Sequence, residues 1–320
     1  KFSSVKIGVI GDVMLDTYWW GQVERISPEA PVPVVQVDHK EQRIGGAANV
    51  ALNLAALGSL VSIFSVLGDD DDAGVLTALL EEKKIDTGYL LKSGSRITTN
   101  KMRVISRQQQ MLRLDSETIR PISAEEEDLL IARIEKFLRK QSPQAIVFED
   151  YNKGVLTEKV ISEAIRLCRS LGVITAVDPK RKNFFQYKEV DIFKPNLKEA
   201  REALNLLPEE VNKSFLAQIH DRLQAQLHHR VSFITLSEKG VFYEDGNGAA
   251  IVPSHIRNVA DVSGAGDTVI AVATLLYVLT RDVKLMAEVA NLAGGLVCEV
   301  VGTVAVERQK LLEECERVLT

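Results

Sequence analysis

The chain has 320 residues, 46% of them hydrophobic, and 39 Lys and Arg stand against 44 Asp and Glu for a net charge of −5. This is the composition of a globular protein with room for a sizeable core, and its well-mixed charge speaks against a global basic field for nucleic acid or an anionic membrane surface. Cys168, Cys298 and Cys315 lie far apart without a C-x-x-C pair, which argues against a zinc site or disulfide framework and for a reduced, cytoplasmic protein; no secretory leader pattern opens the chain and no apolar run reaches membrane-spanning length.

Val5 to Ile10 reads as a buried first strand. Gly11-Asp12 ends it and Asp16 follows, so both carboxylates fall where an open α/β sheet forms its ligand crevice. The glycine spacing here is not that of a dinucleotide fingerprint. Residues 17–43 carry no helical period. They hold both tryptophans, Trp19 and Trp20, a Pro28-Glu29-Ala30-Pro31-Val32-Pro33 run and a strand-like Val34-Val35-Gln36-Val37. That pattern predicts a β excursion outside the main sheet, serving as a lid or a subunit contact; the alternative is that the tryptophans pack on the main body. Gly45-Gly46 then opens a helix of small residues that Gly58 closes, with Asn49 one turn in. Either a ligand approaches this backbone and meets the Asn49 amide, or the small residues simply allow tight helix–sheet packing.

A strand at 61–66 and an acidic run from Asp69 to Asp72 follow, the latter a solvated helix start rather than a calcium loop, leading into a helix at 73–84. Residues 97–115 predict two strands turning near Arg107-Gln108 and completing the lid. Lys101, Arg103, Arg107 and Arg113 make this segment locally basic, which suits a sugar phosphate but also suits solvated strand faces. Helices at 123–140, 157–171 and 214–228 alternate with strands at 145–148, 173–177, 191–194 and 231–236. Polar residues gather just past the strands: Glu149 and Asp150, Asp178 and Lys180, Asn196 and Glu199, then Ser237 before Gly240. Residues 241–244 read as a hairpin partner turning at 245–248. Helices at about 268–280, 284–298 and 307–319 end the chain, with a Gly302 turn between the last two. The alternation predicts an α/β fold, doubly wound around a mainly parallel sheet. It is read as one domain over 1–320 with lid segments at about 17–43 and 97–115 inserted.

The most informative stretch is Asp261-Val262-Ser263-Gly264-Ala265-Gly266-Asp267-Thr268, at the head of an apolar helix. Small residues leave backbone N–H groups free to point outward, and a helix N-terminus attracts phosphate oxygens. A carboxylate there would repel an anion unless it takes a proton from the nucleophile attacking that anion, which points to phosphoryl transfer. The same stretch would also serve as a Gly-rich turn whose Asp267 caps the helix.

Several of these motifs together resemble the ribokinase-like (PfkB) carbohydrate kinases nearly end to end. Gly45-Gly46-Ala47-Ala48-Asn49 is similar to that family's N-terminal signature and the octet at 261–268 to its C-terminal one. Asn196-Leu197-Lys198-Glu199 is similar to its N-x-x-E motif, and Thr235 to Gly240 to its nucleotide-side turn. Within the family, Gly11 to Asp16, Arg25 to Val34 with its Pro-Glu-Ala-Pro-Val-Pro run, Arg103 to Arg107, and Asp150-Tyr151-Asn152-Lys153-Gly154 resemble the bacterial D-glycero-β-D-manno-heptose-7-phosphate kinases.

The resemblance implies ATP-dependent phosphorylation of the sugar 1-hydroxyl, in making ADP-heptose for the lipopolysaccharide core. Asp267 would be the base, with the N–H groups of Gly264, Ala265 and Gly266 receiving the γ-phosphate. Asn196, Ser237, Gly240, Gly264, Gly266 and Asn291 would hold the nucleotide, and Glu199 would hold Mg²⁺ through water. Asp16, Gly45, Gly46, Asn49 and Asp150 would hold the sugar hydroxyls, and Lys101, Arg103, Lys153 and Lys180 the existing phosphate. Asp261, Ser263 and the Gly302 turn would form a monovalent-cation loop for K⁺. The resemblance and the apolar lid imply a homodimer formed through the lid. Many such kinases are fused to an adenylyltransferase with an H-x-G-H motif, which this chain's five histidines never make; the expectation is a stand-alone kinase or the kinase half of a longer protein. The alternatives are another sugar kinase of the same family and a catalytically silent sugar-phosphate sensor, against which intact Asp267 and Glu199 count.

Overall fold

The computed structural model describes residues 2–319 apart from Gln108 and Ile256. Its frame is an eight-stranded sheet in the order β14-β13-β12-β11-β10-β9-β1-β4. These strands are β1 (Lys6–Gly11), β4 (Leu60–Phe64), β9 (Ala145–Glu149), β10 (Ile174–Asp178), β11 (Ile192–Phe193), β12 (Val231–Thr235), β13 (Val241–Glu244) and β14 (Ala249–Val252). All neighbours are parallel except β12–β13 and β13–β14, the hairpin region expected from the turn at 245–248. β5 (Val66–Gly68) pairs with β6 (Leu91–Ser93), a three-residue strand too short to leave a period in the sequence.

Strand alternation sends side chains to two cores. Ala145 and Val147 of β9 face α1 (Ala47–Ala56), α7 (Ala265–Thr280) and α8 (Val283–Val297); Ile146 and Phe148 face α3 (Ala124–Gln141), α4 (Glu158–Ser170) and α6 (Lys213–Leu227). The remaining helices are α2 (Asp71–Glu82), α5 (Leu197–Ala203) and α9 (Arg308–Leu319). The acidic run is a helix start: Asp70 caps α2 by accepting from the Ala73 N–H at 2.9 Å. α7 is apolar on every side and buried from Asp267 to Leu275, so it lies under other helices rather than at the surface. Its N-terminus meets the C-terminal ends of β9 and β10, which makes it the place where sheet edge and helix dipole converge.

β2 (Val13–Ile26), β3 (Pro33–Gly46), β7 (Asn100–Ser106) and β8 (Gln109–Ser116) form a separate sheet in the order β3-β2-β7-β8. It is longer than the segments anticipated at 17–43 and 97–115, because β2 begins directly after β1. The Arg107 half of the β7–β8 turn is described and has φ 47°; Gln108 lies outside the described residues. Register places Asp16 beside Lys101 and Tyr18 beside Arg103 on one face, and Thr17, Trp19, Met102, Val104, Leu112 and Leu114 on the other. Both tryptophans are half-buried within this sheet, Trp20 stacking between Tyr18 and His39. The Pro-Glu-Ala-Pro run is the exposed tip of the β2–β3 hairpin, closed by the Ser27 N–H donating to the Val32 carbonyl at 2.9 Å.

Candidate active site

Gly264 precedes α7 with φ 77°, a left-handed conformation that glycine adopts without strain. A Cβ there would also lie 2.7 Å from Asn49 Nδ2 and from Thr303 Cγ2. Among the described residues, no hydrogen bond is made by the N–H of Gly264 or Gly266, while that of Ala265 donates to the Val262 carbonyl at a long 3.3 Å. Two unspent donors and the helix dipole therefore face the cleft, whereas the expected third, Ala265, is partly engaged.

Asp267, in the first turn of α7, is 3% exposed. Its Oδ2 accepts from Asn49 Nδ2 at 2.8 Å and its Oδ1 from the Tyr151 hydroxyl at 2.7 Å. Burial pushes the Asp267 carboxyl above its ordinary range, and these two donors pull it partly back. Asn49 thus orients Asp267. Tyr151 was missed as a site residue in the sequence: its link to Asp267 spans 116 positions, and the only signal was its place after a strand end.

Beside Asp267 the strand ends supply a charged cluster. Lys194, after β11, is buried and pairs with Asp178 Oδ2 at 2.7 Å. Lys180 reaches Asp178 Oδ1 at 3.3 Å and Glu199 Oε1 at 2.7 Å. Burial opposes the charge on Asp178, but Lys194 and Lys180 outweigh it and hold the carboxyl below its ordinary range. Lys180 is likewise desolvated, yet Asp178 and Glu199 keep it protonated well above the usual lysine range. Asn196 and Glu199 form a capping box on α5: the Glu199 N–H donates to Asn196 Oδ1, and the Asn196 N–H to Glu199 Oε2, each at 2.8 Å. Glu149 is fully buried next to Asp178 in the β9–β10 register, and neither carboxylate oxygen has a partner among the described residues.

With Glu149 buried behind them, Asp178, Lys180, Lys194, Asn196 and Glu199 line one end of a cleft of about 1630 Å³. It runs from Tyr151, Lys194 and Asp267 past Gly264 and Gly266 to the turn at Ser237–Gly240 and Asn291 on α8. Asn291 Nδ2 donates to the Pro253 carbonyl, which fixes that wall. The cleft is long enough for a nucleoside triphosphate. Among the described residues no three acidic, His or Cys side chains converge on a metal site, and Glu199 and Asp178 are already paired with lysines. An ion held by phosphate oxygens and water fits such residues, as Mg²⁺ commonly is.

On the acceptor side, Arg103 pairs with Asp16 at 2.6 Å, and Thr303 donates to Asp16 Oδ2 at 3.3 Å. Gly45 lies so close to Asp16 that no side chain would fit, and Gly46 beside it opens α1. Lys101 sits with its ammonium 5.5 Å from the Tyr151 ring centre. Asp261 accepts from the Ser263 N–H and hydroxyl and from the Gly302 N–H, stapling the loop before α7 to the loop before α9.

Four expectations need correction. Asp12 does not face a ligand: its carboxylate accepts from the N–H groups of Tyr151, Lys153 and Val155. Asp150 does not hold sugar: it is buried and accepts from the Asn152 N–H, Asn183 Nδ2 and the Tyr187 hydroxyl. Lys153 is neutralised by Glu117 at 2.7 Å. Lys180 stands in the Asp178–Glu199 cluster, on the phosphate side of Tyr151, instead of joining Lys101 and Arg103.

The profile of the pfkB family carbohydrate kinases matches residues 5–310. The chain is 42% identical to the Bifunctional protein HldE of Aliarcobacter butzleri over 95% of its own length and 63% of that protein's. It is 40% identical to the Bifunctional protein HldE of Citrifermentans bemidjiense over 98% of its own length and 64% of that protein's. The chain therefore spans less than two thirds of these relatives. Among solved structures, phosphofructokinase-2 from Escherichia coli in complex with potassium superposes with a TM-score of 0.81 at 17% identity, covering 99% of this chain and 100% of that one. Arabidopsis thaliana ribokinase complexed with ribose and ATP superposes with a TM-score of 0.74 at 16% identity, covering 97% and 98%. At such identities the likeness shows the fold. No helix among the described residues is long and apolar enough to cross a membrane.

Proposed function

The chain belongs to the pfkB family of carbohydrate kinases, and on that premise we propose that it phosphorylates the 1-hydroxyl of D-glycero-β-D-manno-heptose 7-phosphate with ATP. The product is the 1,7-bisphosphate, a precursor of ADP-heptose for the lipopolysaccharide core, made in the cytoplasm. The observation that carries the reaction is the buried Asp267 carboxylate, oriented by Asn49 and Tyr151, beside the unspent N–H groups of Gly264 and Gly266. The acceptor rests on the residues resembling heptose-phosphate kinases and on the relatives about 40% identical.

In this reading Asp267 takes the proton of the sugar hydroxyl as its oxygen bonds to the γ-phosphorus and the bond to ADP breaks. The N–H groups of Gly264 and Gly266 and the α7 dipole receive the negative charge on the transferred group. Lys180 and Lys194 lie within the same end of the cleft, placed to balance phosphate charge. Ser237, Gly240 and Asn291 bound the adenine end, and Asn196 holds Glu199 in place. Bound Mg²⁺ would neutralise phosphate oxygens, with Glu199 and Asp178 orienting its water. Asp16, Gly45 and Gly46 face the sugar, and Lys101 and Arg103 face its 7-phosphate. A K⁺ ion at the Asp261–Ser263 loop belongs to the same reading, checked by comparing rates in potassium and tetramethylammonium salts.

The bare apolar face of the lid supports a homodimer built on it: Leu112 and Leu114 are 52% and 48% exposed in the single chain. Adenylyl transfer forms no part of the reading. Incubation with ATP and heptose 7-phosphate, followed by ³¹P NMR, should show a second sugar-phosphate resonance. Equal turnover of ribose or fructose 6-phosphate would sink the heptose assignment and favour another sugar kinase of this family.

A further inference from the structure

Two buried aspartates, Asp12 and Asp150, are not used by the chemistry, yet both are saturated with hydrogen bonds. What they hold is one loop. Asp12 takes the N–H groups of Tyr151, Lys153 and Val155 at 2.9, 3.0 and 3.1 Å. Asp150 takes the Asn152 N–H at 2.8 Å and is itself pinned by Asn183 and Tyr187 at 2.9 and 2.7 Å. Asn152 adopts the left-handed φ of 55° that the tight path requires. The one side chain this loop delivers to the site is Tyr151, whose hydroxyl donates to Asp267 Oδ1 at 2.7 Å. Two ammonium groups lie near its ring, Lys101 at 5.5 Å and Lys180 at 5.7 Å from the ring centre.

We propose that Tyr151 is a positioning residue that decides between sugar and water: without an acceptor its hydroxyl occupies Asp267, and only a bound sugar phosphate moves it aside. The proposal rests on Asp267 being the base. With Asn49 on Oδ2 and Tyr151 on Oδ1, a water molecule near the γ-phosphate finds the carboxylate already engaged. Water brings no remote contacts whose binding energy could be spent on displacing a charge-assisted hydrogen bond. A sugar phosphate does, since Lys101 lies beside the same ring and Arg103 is held nearby over Tyr18, and binding energy from such contacts can be spent on assembling the site. The reaction held back is hydrolysis: the water oxygen bonds to the γ-phosphorus, the bond to ADP breaks, and the water proton passes to Asp267, giving ADP and inorganic phosphate.

The test is Tyr151→Phe, which keeps the ring near both ammonium groups and removes only the hydroxyl. ATP hydrolysis without acceptor, transfer to heptose 7-phosphate, and thermal melting are compared with wild type, Asp267→Asn and the double variant. Acceptor-free hydrolysis by Tyr151→Phe should rise about tenfold relative to transfer, the scale of one charge-assisted hydrogen bond. That rise should vanish in the double variant. The acid limb of kcat/KM should also move to higher pH, because Asp267 loses a donor that favours its charged form. Glu149 of β9, Asp178 of β10 and Lys194 also face Asp267, so the pH arm is read as the difference from wild type. An unchanged ratio of hydrolysis to transfer, a rise that persists without Asp267, or loss of both activities in a normally melting Tyr151→Phe would each overturn the proposal. Transfer that survives Asp267→Asn would overturn the underlying reading instead. Absence of transfer in wild type would remove the heptose assignment, leaving the hydrolysis arm, which needs only ATP, to decide on Tyr151.

Discussion

The N-terminal end of α7 and the four-stranded lid, which the proposed function assigns to the two ends of one reaction, are built in different ways. At α7, Asp267, Asp178 and Lys194 are buried, Lys180 and Glu199 are half-buried, and the acids have named partners: Asp267 has Asn49 and Tyr151, Asp178 has Lys194 and Lys180, and Glu199 has Asn196 and Lys180. In the lid, cations on long side chains pair with nearby acids: Arg103 reaches the buried Asp16, and Arg113 pairs with Asp115 in half-open surroundings. The lid's opposite face is apolar and bare. In the proposed reading, the contrast means that the reaction is held by a preorganised interior network, while acceptor recognition is spread over a sheet with one bare apolar face.

The largest break in this comparison is Asp267→Asn. Removing the base from a network that stays otherwise folded should lower kcat by about 10²- to 10⁴-fold. Nucleotide affinity should stay within a few-fold, since the Gly264 and Gly266 N–H groups are untouched. Single-turnover kinetics with a parallel nucleotide titration would check it, and activity near wild type would remove Asp267 from its role.

On the lid the expected effect is smaller and of another kind. Leu112→Glu with Leu114→Glu places two charges on the bare face, opposite Val104 and Met102 in the register. If that face joins two copies, each centre should cost at least about 2 kcal/mol, roughly thirtyfold in the dimer constant. Sedimentation at micromolar concentration should then show monomer for the variant and dimer for wild type. A wild-type monomer would refute the assembly without touching the α7 network.

The two regions also differ in how far the sequence could be read. The octet at 261–268 is contiguous, so the helix start, the bare N–H groups and Asp267 follow from local backbone physics. Strand ends were likewise legible, because buried runs stop abruptly at Gly11, Glu149 and Asp178. Side-chain partners were not. Asn49 meets Asp267 across 218 positions and Tyr151 meets it across 116, and no local period encodes such contacts. Asp12 and Asp150 were misread for the same reason: being just past a strand places a carboxylate near the crevice, but loop curvature decides whether it points in. In the lid, alternation revealed strands but not which face the charges share, since that depends on register with β2.

Glu149 gives the subtlest test of the interior network. It is fully buried and both its oxygens lack partners among the described residues. Burial first, and then the neighbouring Asp178 and Asp267, raise its carboxyl well above the ordinary value of 4.5, against the opposing pull of Lys180 and Lys194. The native protein therefore keeps a proton that the unfolded chain releases. Stability from this group is fully present below the unfolded value and is lost as pH rises toward the folded one, because the native state then binds more protons than the unfolded state. Glu149→Gln carries no such proton while keeping nearly the same shape. Its stability relative to wild type should accordingly be unchanged near pH 4 and grow steadily as pH rises from there toward neutrality. Urea denaturation at a series of pH values reads this directly. Parallel curves for the two proteins would mean that Glu149 is ionised and partnered in solution, and the α7 end would then resemble the lid in how it holds its charges.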